Sequence, residues 1–575
     1  MVAALPSRAR WLGVCLLGCA PLIALGQQVP QGSTTDPADR IFREQAERER
    51  ARVLQRSDAA ANIQLPSPAL AQEQGFPEGL AVSGPAFLVR SIQPSGDALL
   101  DPQVWARITA PFAQRTLAAA HIQVLLERLN AALVAAGTIT SRAYVGPQNL
   151  ADGELVISFM AGRIERVLLD GRDLFEPGGP DAGVRGALPF AIGDVLRLPD
   201  VEQAVDQLNR VRGNQIQVQI QPGQGVGASI IDLRNQGSAA RQISLTLDNQ
   251  GSASSGRWRT QLGVEQGNAL GLMDTLALGL TTSRDTNALY ATVSVPWGYN
   301  TVSLMGSWSE YQNLIGDTAL VYGTSNNISL AFNRIIARDQ TSKTAVDFTL
   351  ARRASNRAIN NAELTPQVLV VARAGVNRLT RSASGAQWTL DAAWVQGLAA
   401  MDALHDAPDL PTGAARAQFR KIEFSASAQT TLPFAALSGW TWRTRANAQW
   451  SPDALYASEQ ILAGGVSSVR GFAESAVSAD RGIVWRNELA REGLFAFADG
   501  KARVDAYVYC DMAHLNTALD TGGSQLSSVG AGLRIPFLWR TTQGVWDLIV
   551  GVPVRYPDSL PDTGPRLNLS LNLLF

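Results

Sequence analysis

From about residue 240 to the end of the chain, apolar and polar residues alternate. In "ISLTLD", Ile243, Leu245 and Leu247 share one face; in "TLALGL", Leu276, Leu278 and Leu280 do. "WTLDAAW" sets Trp388, Leu390, Ala392 and Trp394 together, and "VWDLIVGVPV" sets Trp546, Leu548, Val550, Val552 and Val554 opposite Asp547. A period of two marks a strand with one apolar and one polar face. About 16 such segments can be counted, each near the roughly 9–11 residues that a tilted strand needs to cross a bilayer. In "WTWRTRANAQW" the polar face carries Arg443, Arg445 and Asn447, where a sandwich or propeller would bury apolar residues. Tryptophans gather at segment ends, as at a membrane interface. The pattern predicts a mainly β protein whose residues 236–575 form a 16-stranded antiparallel transmembrane β-barrel. The barrel is closed because lipid tolerates no unpaired strand edge. The last segment, "RLNLSLNLLF", puts Leu567, Leu569, Leu571, Leu573 and Phe575 toward lipid and Asn568, Ser570 and Asn572 toward the lumen.

Upstream the period lengthens. "HIQVLLERLNAALVAAG" is an amphipathic helix closed by Gly137, between the strands "AFLVRSIQ" and "TSRAYV" with "GELVISFMAG". A strand–helix–helix–strand–strand order recurs, with "RIERVLLDG", "LPDVEQAVDQLNRV" and the hairpin "QIQVQIQPGQGVGASIIDL" in the second copy. This gives two small α+β domains, 86–162 and 163–235. "GQGVG" at Gly223–Gly227 lies between two strands with no following helix, so it reads as a turn and not as a phosphate loop. A proline-rich linker, 58–85, precedes the first domain. Before it, within 27–57, "TTDPADRIFREQAERERARVLQRSD" reads as a helix with Asp36 as N-cap and Pro37 in its first turn. Its polar residues run all round. That suits either a solvated segment or a helix made to sit in a water-filled space. Residues 1–26 read as a secretory signal peptide, with Arg8 and Arg10 before "WLGVCLLGCAPLIALG". "LLGC" at Leu16–Cys19 loosely resembles a lipoprotein site, although apolar sequence continues past Cys19.

Composition narrows the function. Of 575 residues, 46% are hydrophobic and 17% charged, with a net charge of −1. The balance suggests no nucleic-acid partner, and mean hydropathy is near zero. After the signal no run reaches the length of a spanning helix. Cys15 and Cys19 lie in the signal, leaving Cys510 alone in the mature chain. His121, His405 and His514 are scattered, and "DALHDAPD" (Asp402–Asp409) clusters acids about a histidine in a loop. No metal spacing, nucleophile triad or nucleotide motif appears, so no catalytic residue, metal or cofactor is expected and the chain does not read as an enzyme.

One connection is anomalous. Residues 451–481 form a loop without evident secondary structure, neither charged nor especially polar, containing "ILAGGVSSVRGFAESAVSADRG". Val466, Val469 and Phe472 suit packing inside something, and Gly464, Gly465 and Gly471 allow tight turns. Arg470, in an apolar, glycine-flanked setting, wants a bidentate carboxylate. In "RVDAYVYCDM" alternation turns Arg503, Asp505, Tyr507, Tyr509 and Asp511 to the lumen, making Asp511 one candidate partner. Glu488 in "WRNELAR" is another. The alternative is an Arg470 solvated on an exposed loop.

Taken in order, these pieces resemble the two-partner secretion transporters, TpsB proteins of the haemolysin-activator/adhesin-secretion type, within the superfamily that joins POTRA domains to a barrel. "TSRAYVGPQNLADGELVISFMAGRIERV" resembles the junction of the family's two POTRA domains, and "LRLPDVEQAVDQLNRV" with "IQPGQGVGASIIDL" its second one. "VRGF" (Val469, Arg470, Gly471, Phe472) resembles the tip signature of its sixth extracellular loop. "YVYCDMAHL" resembles the paired motif on the strands that follow; the family's glycine two places after the acid is here Ala513. The resemblance implies that Arg470 pairs with Asp511 on the wall and that 36–57 is a plug helix threaded through the barrel. It implies a bacterial outer-membrane channel with POTRA domains in the periplasm, surrounded by outer-membrane lipid. Such a channel exports one large, secreted, β-helical partner of TpsA type without nucleotide hydrolysis. The terminal aromatic Phe575 resembles the signal by which the barrel-assembly machinery recognises its substrates. An outer-membrane protein insertase and a passive porin are the competing readings.

Overall fold

The computed structural model describes residues 37–54, 75–80, 84–177, 182–251, 256–315, 319–433, 438–474, 476–497, 500–518, 523–558, 560 and 564–575. The signal segment, with Cys15 and Cys19, the expected N-cap Asp36 and most of the linker lie outside the described residues.

Sixteen strands, from Arg241–Asp248 to Arg566–Leu574, form a closed antiparallel barrel, with a two-residue strand, Ala362–Glu363, added at one far-rim turn. Alternation in sequence becomes alternation in space. On the sixth wall strand, Ala319–Arg338, Ile328, Leu330 and Phe332 are exposed on the outer face, while Ser325, Asn327, Ser329 and Asn333 are buried within. Trp297, Trp450 and Trp539 are exposed at strand ends, where an interfacial belt places them. The first and last wall strands pair from Ser244 with Leu574 to Asp248 with Ser570. The ladder continues through the last residue: the Phe575 amide donates to the Ile243 carbonyl at 2.9 Å, and the Ile243 amide donates to Phe575 at 3.2 Å.

Both small domains carry the recurring order. In the first, Ser91–Gly96 runs parallel to Glu154–Met160, which pairs antiparallel with Arg142–Tyr144. In the second, Arg163–Leu169 runs parallel to Ala228–Asn235, which pairs antiparallel with Ile216–Pro222. Helices Ala119–Ala135 and Leu198–Asn209 fill the two apolar cores. One expectation is corrected. "AFLVRSIQ" is not one strand: it breaks where the amides of Arg90 and Ser91 both turn to the Gly153 carbonyl, and Ala86–Val89 pairs with Arg115–Ala118 instead. A short helix, Ala182–Ala187, went unread because Gly183 and Gly186 weaken its pattern. Gly183 is required there, since a Cβ would lie 2.2 Å from the Gly271 carbonyl of a near-rim turn. "GQGVG" is a turn whose Gln224 and Gly225 amides donate to the chain's own Glu165.

The second domain is bound to the near rim through charge. Arg338, at the end of the sixth wall strand, meets Glu202 at 3.0 Å and Asp206 at 2.5 Å, and Lys343 meets Asp206 at 3.2 Å, all buried. The Tyr299 hydroxyl donates to Asp200, and Gln207 donates to the carbonyls of Gly298 and Asn300. Further upstream, Phe76 seats on the first domain, stacked on His121 and edge-on to Phe112, with the Arg115 guanidinium over its ring. Arg128 donates to the neighbouring Gly75 carbonyl at 2.6 Å.

Helix Pro37–Leu54 lies inside the barrel. It touches opposite walls. Arg52 pairs with Glu265 on the second wall strand at 2.5 Å, Glu47 with Arg445 on the eleventh at 2.6 Å, and Val53 packs on Ile335, Ala345 and Leu379. A helix polar all round is what a hydrated, polar-walled space accepts.

Deleting Phe575 removes two ladder bonds at the seam, each worth about 0.5–1.5 kcal/mol net. The expected outcome is a lower yield of inserted barrel, read as loss of the heat-modifiable band on semi-native gels, with both small domains still folded.

Candidate functional site

The thirteenth wall strand, Ala502–Asn516, lies between the twelfth, Arg481–Phe497, and the fourteenth, Ser524–Trp539. Its register sets Arg486 opposite Asp511 and Glu488 opposite Tyr509 on one side, and Gly530 opposite Tyr509 and Gly532 opposite Tyr507 on the other. The strand's period of two turns Tyr507, Tyr509 and Asp511 inward, all buried. Arg503, toward the near rim where the twelfth strand bulges between Arg491 and Phe495, has a half-exposed side chain.

The long loop folds back into the lumen. It is not without secondary structure: Ile461–Ala463 and Val477–Ala479 pair as a small hairpin, preceded by a 3-10 turn, Ala457–Glu459. These pieces are too short for periodicity to register. At the tip, Arg470 is 1% exposed. Its Nε and Nη2 donate to the two carboxylate oxygens of Asp511 at 2.7 and 2.8 Å, its backbone amide to Asp511 at 3.1 Å, and its Nη1 to Glu488 at 2.9 Å. Both candidate carboxylates therefore hold it, and the solvated alternative does not occur. The guanidinium also lies 3.8 Å above the Tyr509 ring. Burial disfavours the charge, but Asp511 and Glu488 outweigh it and raise the Arg470 pKa. Glu488 is shared with Arg534, at 2.7 and 2.9 Å, whose guanidinium sits over Tyr507; the Tyr507 hydroxyl donates to Asp547 at 2.9 Å.

Glycine makes the close approach possible. Gly471 has φ +89°, and a Cβ on Gly551 of the fifteenth wall strand, Thr542–Arg555, would lie 2.6 Å from its Cα, so loop backbone rests on wall backbone. Gly530 and Gly532 leave room for the tyrosine rings, which a Cβ at either site would strike at 2.4 and 2.2 Å. Val469 and Phe472 join an apolar cluster with Val484, Leu515, Leu526 and Ala513. The alanine that stands for the family's glycine thus contributes its methyl to the seat of the loop tip. Val466 packs beside Tyr507 and Tyr509.

Sequence reasoning did not single out Arg534, Asp547, Gly530, Gly532 or Gly551. The signal was present: Gly530, Gly532 and Arg534 fall on one face by alternation. Elsewhere, Asp406 of the acid–histidine cluster accepts from the Ala417 and Gln418 amides and braces its own loop. No group of side chains with metal-site geometry occurs among the described residues.

The arrangement clamps a loop tip to the inside of a barrel. POTRA models match residues 87–162, in a ShlB-type form, and 163–222. The model of haemolysin secretion/activation proteins of the ShlB/FhaC/HecB kind matches residues 227–535. The chain belongs to this family. It is a two-partner secretion transporter of the outer membrane, with its POTRA domains in the periplasm. The outer membrane transporter CdiB of Escherichia coli is 30% identical over 83% of this chain and 81% of its own length, and that of Dickeya dadantii 29% over 85% and 88%. The hemolysin transporter HpmB of Proteus mirabilis is 27% identical over 66% of this chain and 68% of its own. Among solved structures, Escherichia coli CdiB superposes with a TM-score of 0.82 at 27% identity, covering 95% of this chain and all of that one.

Gly551→Val and Arg470→Ala are expected to free the loop tip while the barrel still inserts. The first blocks the backbone contact. The second leaves two buried carboxylates short of a partner, a loss of about 3–5 kcal/mol for a buried pair. Limited proteolysis of the 451–481 loop on intact cells, beside the heat-modifiable band, checks this; a tip as protected as wild type in both variants would refute the clamp.

Proposed function

We propose that this transporter exports one large, β-rich exoprotein, which its POTRA domains receive unfolded by adding it as a strand to an open sheet edge. The observation that carries this reading is the edge of the second POTRA sheet. Ile216–Pro222 pairs only with Ala228–Asn235 among the described residues. Alternate pairs of an antiparallel ladder are hydrogen-bonded. The Gly223 amide donates to Ala228 and the Gln236 amide to Gln215, so the odd residues of the strand face its partner. Ile216 faces outward but is capped on both backbone groups by Asn209, and Pro222 has no amide. Val218 and Ile220 therefore present the outward amides of this edge. Main-chain bonds of this kind give affinity with little demand on sequence.

From the POTRA edge the chain passes into the polar lumen and folds outside. No nucleotide is spent: a folded state reachable only outside draws the equilibrium outward. The helix Pro37–Leu54 serves as a plug in the resting barrel, and the clamped loop sets the state from which export starts. Relatives named as hemolysin transporters support a secreted protein as cargo.

Two experiments test the reading. Ile220→Pro removes an outward amide without touching a ladder bond; secretion of the partner is expected to fall several-fold with barrel yield unchanged, and unchanged secretion would exclude this edge. Deleting residues 37–54 is expected to raise single-channel conductance in planar bilayers; a wild-type conductance would exclude the plug.

A further inference from the structure

The root of the long loop is held by a second charge cluster, separate from the Arg470 tip. The turn Ala457–Glu459 buries Glu459 to 1% exposure. Its carboxylate meets Arg353 of the seventh wall strand, Ser342–Ile359, and Lys421 of the tenth, Arg420–Thr431, the latter at 3.1 Å. The backbone is held as well. Lys421 Nζ and Gln449 Nε2 donate to the Glu459 carbonyl at 2.9 and 3.0 Å, and Arg353 Nη1 donates to the Ser458 carbonyl at 3.2 Å.

The next carbonyl faces the helix in the lumen. Arg43 Nη1, in the first half of Pro37–Leu54, donates to the Gln460 carbonyl at 2.9 Å. Burial pushes the Glu459 carboxyl up, but Arg353, Lys421 and Arg43 together outweigh it and hold it below the usual carboxylate range. Glu459 therefore offsets two wall cations at the point where Arg43 of the helix docks. Arg43, Arg48, Arg50 and Arg52 all belong to that helix.

We propose that Glu459 is a positioning residue of the resting state: it pins the loop root to the seventh and tenth wall strands, and through the Gln460 carbonyl it holds the lumen helix in place. This rests on the reading of Pro37–Leu54 as a plug. Neutralising Glu459 does two things. It loosens the carbonyl that Arg43 grips, and it leaves Arg353 and Lys421 to repel Arg43, with Glu423, 3.0 Å from Lys421, as a partial counterion. The Arg470 clamp sits on the twelfth to fifteenth strands and shares none of these groups, so the tip stays docked.

The test is open-state occupancy of the full-length protein in planar bilayers, beside heat-modifiability and proteolysis of the loop tip. Glu459→Gln is expected to raise occupancy at least about tenfold, the least expected when a hydrogen bond to a charged group is lost, with barrel yield and tip protection unchanged. Adding Lys421→Gln to it removes part of the excess charge and is expected to bring occupancy back toward wild type, which loosened packing alone would not do. Arg43→Gln breaks the contact from the helix side. It is expected to raise occupancy as well, and it decides the matter should Glu459→Gln insert poorly. Wild-type occupancy in the variants that insert, while deletion of 37–54 raises conductance, overturns the role of Glu459 alone. Wild-type conductance in the deletion overturns the plug reading with it.

Discussion

A guanidinium taken out of water must be matched by carboxylates or its loop cannot stay where it is. Arg470 meets that demand from two wall strands at once, a bidentate pair with Asp511 and a further bond to Glu488. The surrounding features follow from it. The tip glycine and Gly551 allow the backbone approach, Gly530 and Gly532 make room for the rings beneath, and Val469, Phe472 and Ala513 exclude water from the pair. A buried pair adds little net stability, yet losing one partner is costly. Such a clamp fixes a position more than it strengthens a fold.

The same device recurs where the loop root, the lumen helix and the second POTRA domain meet the barrel. Glu459 fixes the loop root, Glu265 and Arg445 hold the lumen helix, and Arg338 with Lys343 binds the second POTRA domain to the periplasmic rim. Apolar packing holds the two POTRA cores, and charge pairs carry these junctions. A wall that faces water on one side and lipid on the other offers only small apolar patches within, under Val53 and under the loop tip. Ion pairs are the remaining means of attachment, and they have the directional character a resettable joint needs.

Strand alternation made the barrel legible, because a strand between lipid and water repeats every two residues with no tertiary help. The POTRA order was readable for the same reason, since each helix and strand follows its own period. What escaped were features set by contact between distant segments. Arg90 breaks a continuous apolar strand because Gly153 offers its carbonyl there. The helix at Ala182–Ala187 needs its glycine for a close approach to a turn far along the chain. At the loop tip, Arg470, Asp511 and Glu488 could be named by residue type and parity. Arg534 and the glycine bed lay on the same face by the same rule, but only the fold brings the fifteenth strand under the tip.

The seating of Phe76 on the first POTRA domain has a kinetic consequence. Between Leu54 and Gly75 lie residues 55–74, whose covalent length allows a span of at most about 70 Å. The helix they tether is about 27 Å long. On the proposed plug reading, a displaced helix stays joined to the domain that seats Phe76. Its distance from its own pore is then bounded by the covalent span. Return is an intramolecular event, independent of how much transporter the membrane holds. On that reading each pore carries its own means of reclosing.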